Sequence, residues 1–331
     1  MLSTHHKSSI KIPFNFMILF RRYGTLFGFI LIVLFFWIQR PDTFMTARNW
    51  LNITQQVSIL CVVSFTMTVV MVGGDFDLSV GSMASLTGII GAVLMQQGNP
   101  ILVAIGISLL AGLTGGILNG LLVTFARLSA FVATLGTLTL FGGLALLTSD
   151  GKTLFGRSIP ETVGDFGRGS VPLFEEIRIP YLTLIAIVVL ILVAILLRQT
   201  VVGRQLHAVG GNQEASRLAG IPVAKLRVMA FAINGIGAGV AGLMLVSRLS
   251  SANPTQGEGL MLNAIAAVFV GMTFSEEGEP NLFGTLIGVL ILGVLSNGLT
   301  QLRIDTYVQQ ILTGIIIIAA VMFSSLTKNR N

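Results

Sequence analysis

Apolar runs on the scale of a bilayer crossing recur along this chain, and that recurrence leaves few folds open. They fall at residues 24–38, 53–72, 78–95, 101–125, 131–147, 181–197, 228–246, 260–274, 282–299 and 307–323. A spanning helix takes about 20 apolar residues, so the shorter runs must borrow flanking residues or break. Only 10% of the residues are charged, where a soluble domain carries about 25%. Glycine, at 38 residues, would argue for loops in water; in lipid it lets helices approach closely. The chain reads as an all-α polytopic membrane protein of about ten transmembrane helices.

An even number of spans puts both termini on one side. If that side is the cytoplasm, it holds Lys7, Lys11, Arg21, Arg22, Arg127, Arg198, Arg204, Arg217, Lys225, Arg227, Lys328 and Arg330. The short outer connections hold only Arg40, Arg48, Arg248 and Arg303. In the longest outer loop, Lys152, Arg157, Arg168 and Arg178 are offset by the acids Asp150, Glu161, Asp165, Glu175 and Glu176. This bias puts both termini in the cytoplasm. It also accounts for the net charge of +6 without a nucleic-acid partner, since no basic patch is interleaved with aromatics. Residues 1–22 then form a cytoplasmic N-terminal segment, 23–324 the transmembrane domain and 325–331 a cytoplasmic tail. Two connections are long: 148–180 outside and 198–227 inside. No cleavage site marks a removable signal peptide. Cys61 is the single cysteine, so no disulfide framework exists. The two halves show no convincing internal match.

Four clusters interrupt the apolar pattern. GGDFDLSVG at 73–81 joins two spans with almost no loop. It reads either as a tight turn whose aspartates cap the next helix at Leu78, or as a broken helix near a polar path. A carboxylate at the hydrocarbon centre costs about 2.5–3.5 kcal/mol, so Asp75 and Asp77 would need a partner or water. GRQLHAVGGNQEASRLAGIP at 203–222 is a polar insert with the marks of a short helix. Asn212 caps it, Glu214 sits in its first turn and Arg217 near its end, and Gly220 and Pro222 stop it. Gly210 and Gly211 permit a sharp exit. Ala215, Leu218 and Ala219 offer a small apolar face suited to a partner's groove, or to the membrane surface. SAFVATLGT at 129–137 brings Thr134 and Thr137, which bond back to their own helix or line a polar path. Asn119, Asn234, Asn263 and Asn297 punctuate the spans as helix glue or path residues. Last, GMTFSEEGEPNLFG at 271–284 is an acidic cytosolic turn carrying Glu276, Glu277 and Glu279.

The absences matter as much. No Gly-x-x-x-x-Gly-Lys-Ser/Thr loop is present, so ATP hydrolysis is not expected on this chain. His5 and His6 lie near the N-terminus and His207 stands alone, which assembles no metal site and no catalytic set.

At these residues the chain resembles the permeases of ABC sugar importers, the ribose-type group that also serves arabinose, xylose and galactose. The resemblance runs from about residue 23 to 321. It rests on GGDFDLSVG, on SAFVATLGT, on 203–221 with Ser216 in place of a usual alanine, on NAIAAV at 263–268, and on FGTLIG at 283–288 through NGL at 297–299. One departure stands out: where the group has a glycine-rich turn, Met272 replaces a glycine and SEEGEPN follows. The resemblance implies a homodimer, or a pair with a sibling permease, in the bacterial inner membrane. A periplasmic or lipoprotein sugar-binding protein would deliver the monosaccharide, and an ATPase holding ATP and Mg²⁺ would dock inside; no cofactor is expected on this chain. Gly203, Arg204, Gly210, Gly211, Asn212, Glu214, Ala215, Arg217, Leu218 and Gly220 would couple to that ATPase. Asp75, Phe76, Asp77, Ser79, Thr134, Thr137, Asn234 and Asn263 would form the path or gate. The rival readings are an ABC permease for branched-chain amino acids or nucleosides, an ion-coupled carrier using Asp75 or Asp77, and a scaffold that transports nothing.

Overall fold

The computed structural model describes residues 14–172, 178–275 and 278–328. In chain order the helices are α1 (Phe14–Gln39), α2 (Ala47–Val72), α3 (Val80–Gln96), α4 (Ile101–Thr124), α5 (Ala130–Thr148), α6 (Glu161–Arg168), α7 (Tyr181–Gln199), α8 (Val201–Gly211), α9 (Gln213–Leu218), α10 (Val223–Leu249), α11 (Glu258–Met272), α12 (Leu282–Gln301) and α13 (Thr306–Lys328). Each apolar run of the sequence becomes a helix. Among the described residues α2, α4, α5, α7, α10 and α12 are long and apolar enough to cross a membrane. α3 and α11, at 17 and 15 residues, fall short of that length.

The centre of the bundle is α2, 83% buried over its apolar window, against 22% for α7 and 28% for α4. It is wrapped by α7, α10, α11 and α12. α10 packs along α4 through the row Gly112, Gly116 and Gly120, where a Cβ would strike the backbone at Gly235, Phe231 and Val228 in turn. Small residues spaced by four on one helix face allow this approach, and it accounts for much of the glycine content.

Three boundaries depart from the sequence reading. The segment 1–22 is helical from Phe14, where α1 starts. α10 starts at Val223 with Pro222 at its N-cap position, so Lys225 and Arg227 belong to a helix and not to the loop 198–227. The loop 148–180 is folded: Leu154–Phe155 pairs with Ser251–Ala252, Ser170–Pro172 pairs with Arg178–Pro180, and α6 packs on α10 and α7. α7 leads from this loop directly to α8, about 28 Å away along its axis, so the two long connections sit at opposite ends. Residues 198–227 also lie beside the α4–α5 connection, so Arg127, Arg204, Arg217 and Arg227 gather at one end. Arg40, Arg48, Arg248 and Arg303 gather at the other. Glu276 and Glu277 lie outside the described residues.

Candidate functional site

The motif at 73–81 is a break inside the bundle. α2 stops at Val72, Gly74 takes the left-handed conformation (φ +86°), and α3 starts at Val80, not at Leu78. The aspartates do not cap in the way the sequence suggested. Ser79 holds the N-cap position without a side-chain cap bond. Asp77 Oδ1 instead accepts from the backbone N–H of Ser79 (2.8 Å) and from its hydroxyl (2.6 Å).

Around Asp77, which is 2% exposed, four helices contribute polar groups. Asn234 Nδ2 of α10 donates to Asp77 Oδ2 at 3.0 Å, and Asn234 Oδ1 accepts from the Thr66 hydroxyl of α2 at 3.0 Å. Asn119 Nδ2 of α4 donates to Ser79 Oγ at 2.8 Å and reaches both carboxylate oxygens at 3.4 Å. Thr137 of α5 donates to Asn119 Oδ1 at 2.7 Å. Every group facing Asp77 donates, and none of them is a cation. The network closes on itself because a buried polar group left without a partner costs about 1–3 kcal/mol.

Asp75, two residues earlier, has a different partner. Arg227 donates from Nε (2.7 Å) and Nη2 (2.6 Å) to its two oxygens, with side-chain exposures of 10% and 16% for acid and base. This bidentate pair ties the α2–α3 break to the first turns of α10. Sequence reading missed Arg227 because it was counted as a loop cation; Pro222, a helix-start signal, was the available clue.

The insert at 203–222 folds into two helices. α8 is eleven residues long, and Asn212 then caps the six-residue α9 by accepting from the Ala215 N–H at 2.9 Å. Arg217 Nη2 bonds Glu214 Oε1 at 2.7 Å; that hydrogen bond and the carboxylate's charge push the guanidinium above its ordinary pKa. Gly220 (φ +80°) ends the element. Ala215, Ala219 and Leu218, the last 79% exposed, form an apolar face with nothing over it among the described residues. The expected sharp exit at Gly210 and Gly211 is not found: both belong to the last turn of α8. A Cβ on Gly210 would strike the Val72 carbonyl and the backbone of Gly74, so the end of α8 rests directly on the break. Gly203 is likewise a contact point, at the turn from α7 into α8, and Arg204 is exposed. Replacing Gly210 by Ala is expected to cost about 1–3 kcal/mol through overpacking. The same change at Gly211, which faces open space, should be neutral or gain up to about 1 kcal/mol of helix propensity. Thermal melts of the two variants in detergent check the contrast.

Other expected site residues fall elsewhere. Thr134 is buried but donates back to the Ala130 carbonyl at 2.7 Å and stays outside the network. Phe76 is 37% exposed and packs edge-to-face on Phe131. Asn263 is half-buried on α11, is not a hydrogen-bond partner of Asp77, and makes no side-chain hydrogen bond among the described residues. Asn119, read as glue, is a hub of the network.

Known proteins are similar to this chain over most of its length. Residues 49–321 match the family described as branched-chain amino acid transport system / permease component. The chain is 38% identical over 302 residues to the ribose import permease protein of Bacillus subtilis, covering 91% of this chain and 92% of that one. It is 34% identical over 321 residues to the D-allose transport system permease protein of Escherichia coli (97% and 96%). To the L-arabinose ABC transporter permease protein of Azospirillum brasilense it is 32% identical over 312 residues (94% and 90%). A multi-helix bundle with a sealed polar break and an exposed capped helix thus comes with near full-length similarity to permeases, and the chain belongs to the branched-chain amino acid transport system / permease component family.

Proposed function

We propose that this chain is the membrane-spanning subunit of an ATP-driven importer of a monosaccharide, a pentose or hexose. As a family member it is a multi-pass protein of the bacterial inner membrane. The chemistry of ATP, with its Mg²⁺, would reside on a separate ATPase. A sugar-binding protein would deliver substrate at the folded 148–180 end, and a second copy or sibling permease would complete the path. The 198–227 end, with its cluster of arginines, would face the cytoplasm.

One observation carries the reading: α9 is a capped, exposed helix joined to the interior by α8, by Gly210 on Val72, and by Arg227 on Asp75. A partner that moves α9 would move the α2–α3 break with it. Such a two-state element, biased by ATP on one face and by loaded binding protein on the other, is what alternating access requires. The substrate class follows from similarity to permeases for ribose, allose and arabinose. An ion-coupled carrier needs a carboxylate free to exchange a proton or cation. Here Asp75 is clamped by Arg227 and Asp77 accepts from the Ser79 N–H and hydroxyl and the Asn234 amide, with the Asn119 amide at 3.4 Å.

Glu214→Lys tests this. Exchanging the acid that pairs with Arg217 for a like charge in the first turn of α9 should abolish ATP-dependent uptake of labelled D-ribose, D-allose or L-arabinose and co-purification of the ATPase. Glu214 is exposed and bonds only within α9, so the amount of folded protein in the membrane should not change. Uptake that persists in vesicles lacking ATP but holding an ion gradient would favour the carrier instead.

A further inference from the structure

α11 starts in the interior of the bundle. The chain leaves α10 at Leu249, pairs Ser251–Ala252 with Leu154–Phe155 at the far end, and then descends through residues 253–257. At the bottom of this descent the Gly257 N–H donates to Ser85 Oγ at 2.9 Å. Gly257 and Glu258 lie against Gly81, with a Cβ on Gly81 coming within 3.6 Å of Glu258 Cα. Gly81 is the second residue of α3. Counting along α3 to Gln96, Glu258 is about 22 Å below the far end. Counting along α11 to Met272, it is about 21 Å above the handle end. α11 is antiparallel to α12, where Gly271 meets Gly284 and Ala267 meets Gly288, and Thr285 of α12 meets Thr68 near the end of α2. α11 therefore runs from mid-depth to the handle end.

Glu258 is exposed there, as are Gly259 and Leu262, with Asn263 half-buried beside them. The Asn263 amide nitrogen lies over Gly259. Glu258 has no ion pair and no side-chain hydrogen bond among the described residues. A carboxylate at this depth facing acyl chains is unfavourable, and such residues face water, a cavity or an opposite charge. In membrane carriers, half-helices with irregular backbone before them line substrate cavities.

We propose that Glu258, with Asn263, lines the aqueous route of the solute, facing the second permease copy across it. The carboxylate accepts hydrogen bonds from the hydroxyl groups of a passing sugar, and the Asn263 amide can donate or accept beside it. The substrate class in this statement rests on the import reading above; the water-filled setting of Glu258 does not.

The test separates the two. Cys61 is buried, so a cysteine placed elsewhere in the full chain reports on its own surroundings. Glu258→Cys in native membranes is expected to react with a membrane-impermeant sulfonated maleimide. Ile191→Cys is the control, since Ile191 is 51% exposed on the apolar helix α7 and should stay unreactive. If Glu258→Cys is as unreactive as Ile191→Cys, the proposal is overturned whatever the substrate. Where the wild type takes up labelled D-ribose, D-allose or L-arabinose, Glu258→Leu should lower uptake about 10- to 100-fold, the loss of one charge-assisted hydrogen bond. Glu258→Gln, which keeps an acceptor, should retain most of it. Normal uptake by Glu258→Leu would overturn the sugar contact, while no uptake by the wild type would instead refute the import reading and leave the labelling result standing.

Discussion

Replacing Asp77 by Ala should be the most damaging single change in the polar interior, costing about 3–5 kcal/mol of stability. The substitution strands the Ser79 N–H and hydroxyl and the Asn234 amide, donors aimed at one carboxylate, while the Asn119 amide keeps only Ser79 Oγ. Each stranded buried group costs about 1–3 kcal/mol, and water entering the small cavity recovers only part of that. Asp77→Asn keeps the volume but turns one acceptor into a donor facing donors, and is expected to be nearly as harmful. The measurements are the fraction of protein recovered folded from the membrane and its melting temperature in detergent. A melt within experimental error of the wild type for both variants would show that the network does not hold the break. A double-mutant cycle of Asp77→Asn with Asn234→Asp tests the geometry further. That pairing restores one donor–acceptor match across the same 3.0 Å contact, so it should be less unstable than the sum of its parts.

The second large effect is expected at Arg227. Arg227→Ala leaves the Asp75 carboxylate, whose side chain is 10% exposed, without its bidentate partner; losing one member of such a pair costs about 3–5 kcal/mol. Asp75→Ala strands the guanidinium in the same way. Changing both residues to apolar side chains of similar size, Asp75→Leu with Arg227→Met, should recover most of the stability, because burying a charge pair gains little over packed hydrocarbon. Transport is expected to stay low in that double variant. The ion pair supplies a directional link between α10 and the α2–α3 break, and hydrocarbon contact does not fix orientation. Stability restored without uptake is the result that distinguishes a coupling role from a merely stabilising one; full recovery of both would count against coupling through this pair.

Much of this architecture was legible along the chain. The run lengths predict the helices, since backbone groups in lipid have no alternative to intrahelical bonds. The capped insert predicts α9, because Asn212, Glu214, Arg217 and Gly220 act within one turn of their own positions. Local chemistry is readable when its partners are local.

The membrane class, the helices and the signals at their ends are therefore written locally along the chain. The tertiary structure alone decided that Asp75 and Asp77, two residues apart, do different work: one is clamped by Arg227, 152 positions away, and the other is enclosed by Asn119 and Asn234. It alone decided that Gly210 is a contact with Val72 and not a turn, that Thr134 stands outside the network while Thr137 is in it, and that α11 begins at mid-depth beside Gly81. The reason is that helical periodicity fixes which face a residue occupies, whereas its neighbours are set by which helices close on that face and at what register. Glycine rows let backbones come within contact distance, and that register is a property of the assembled bundle.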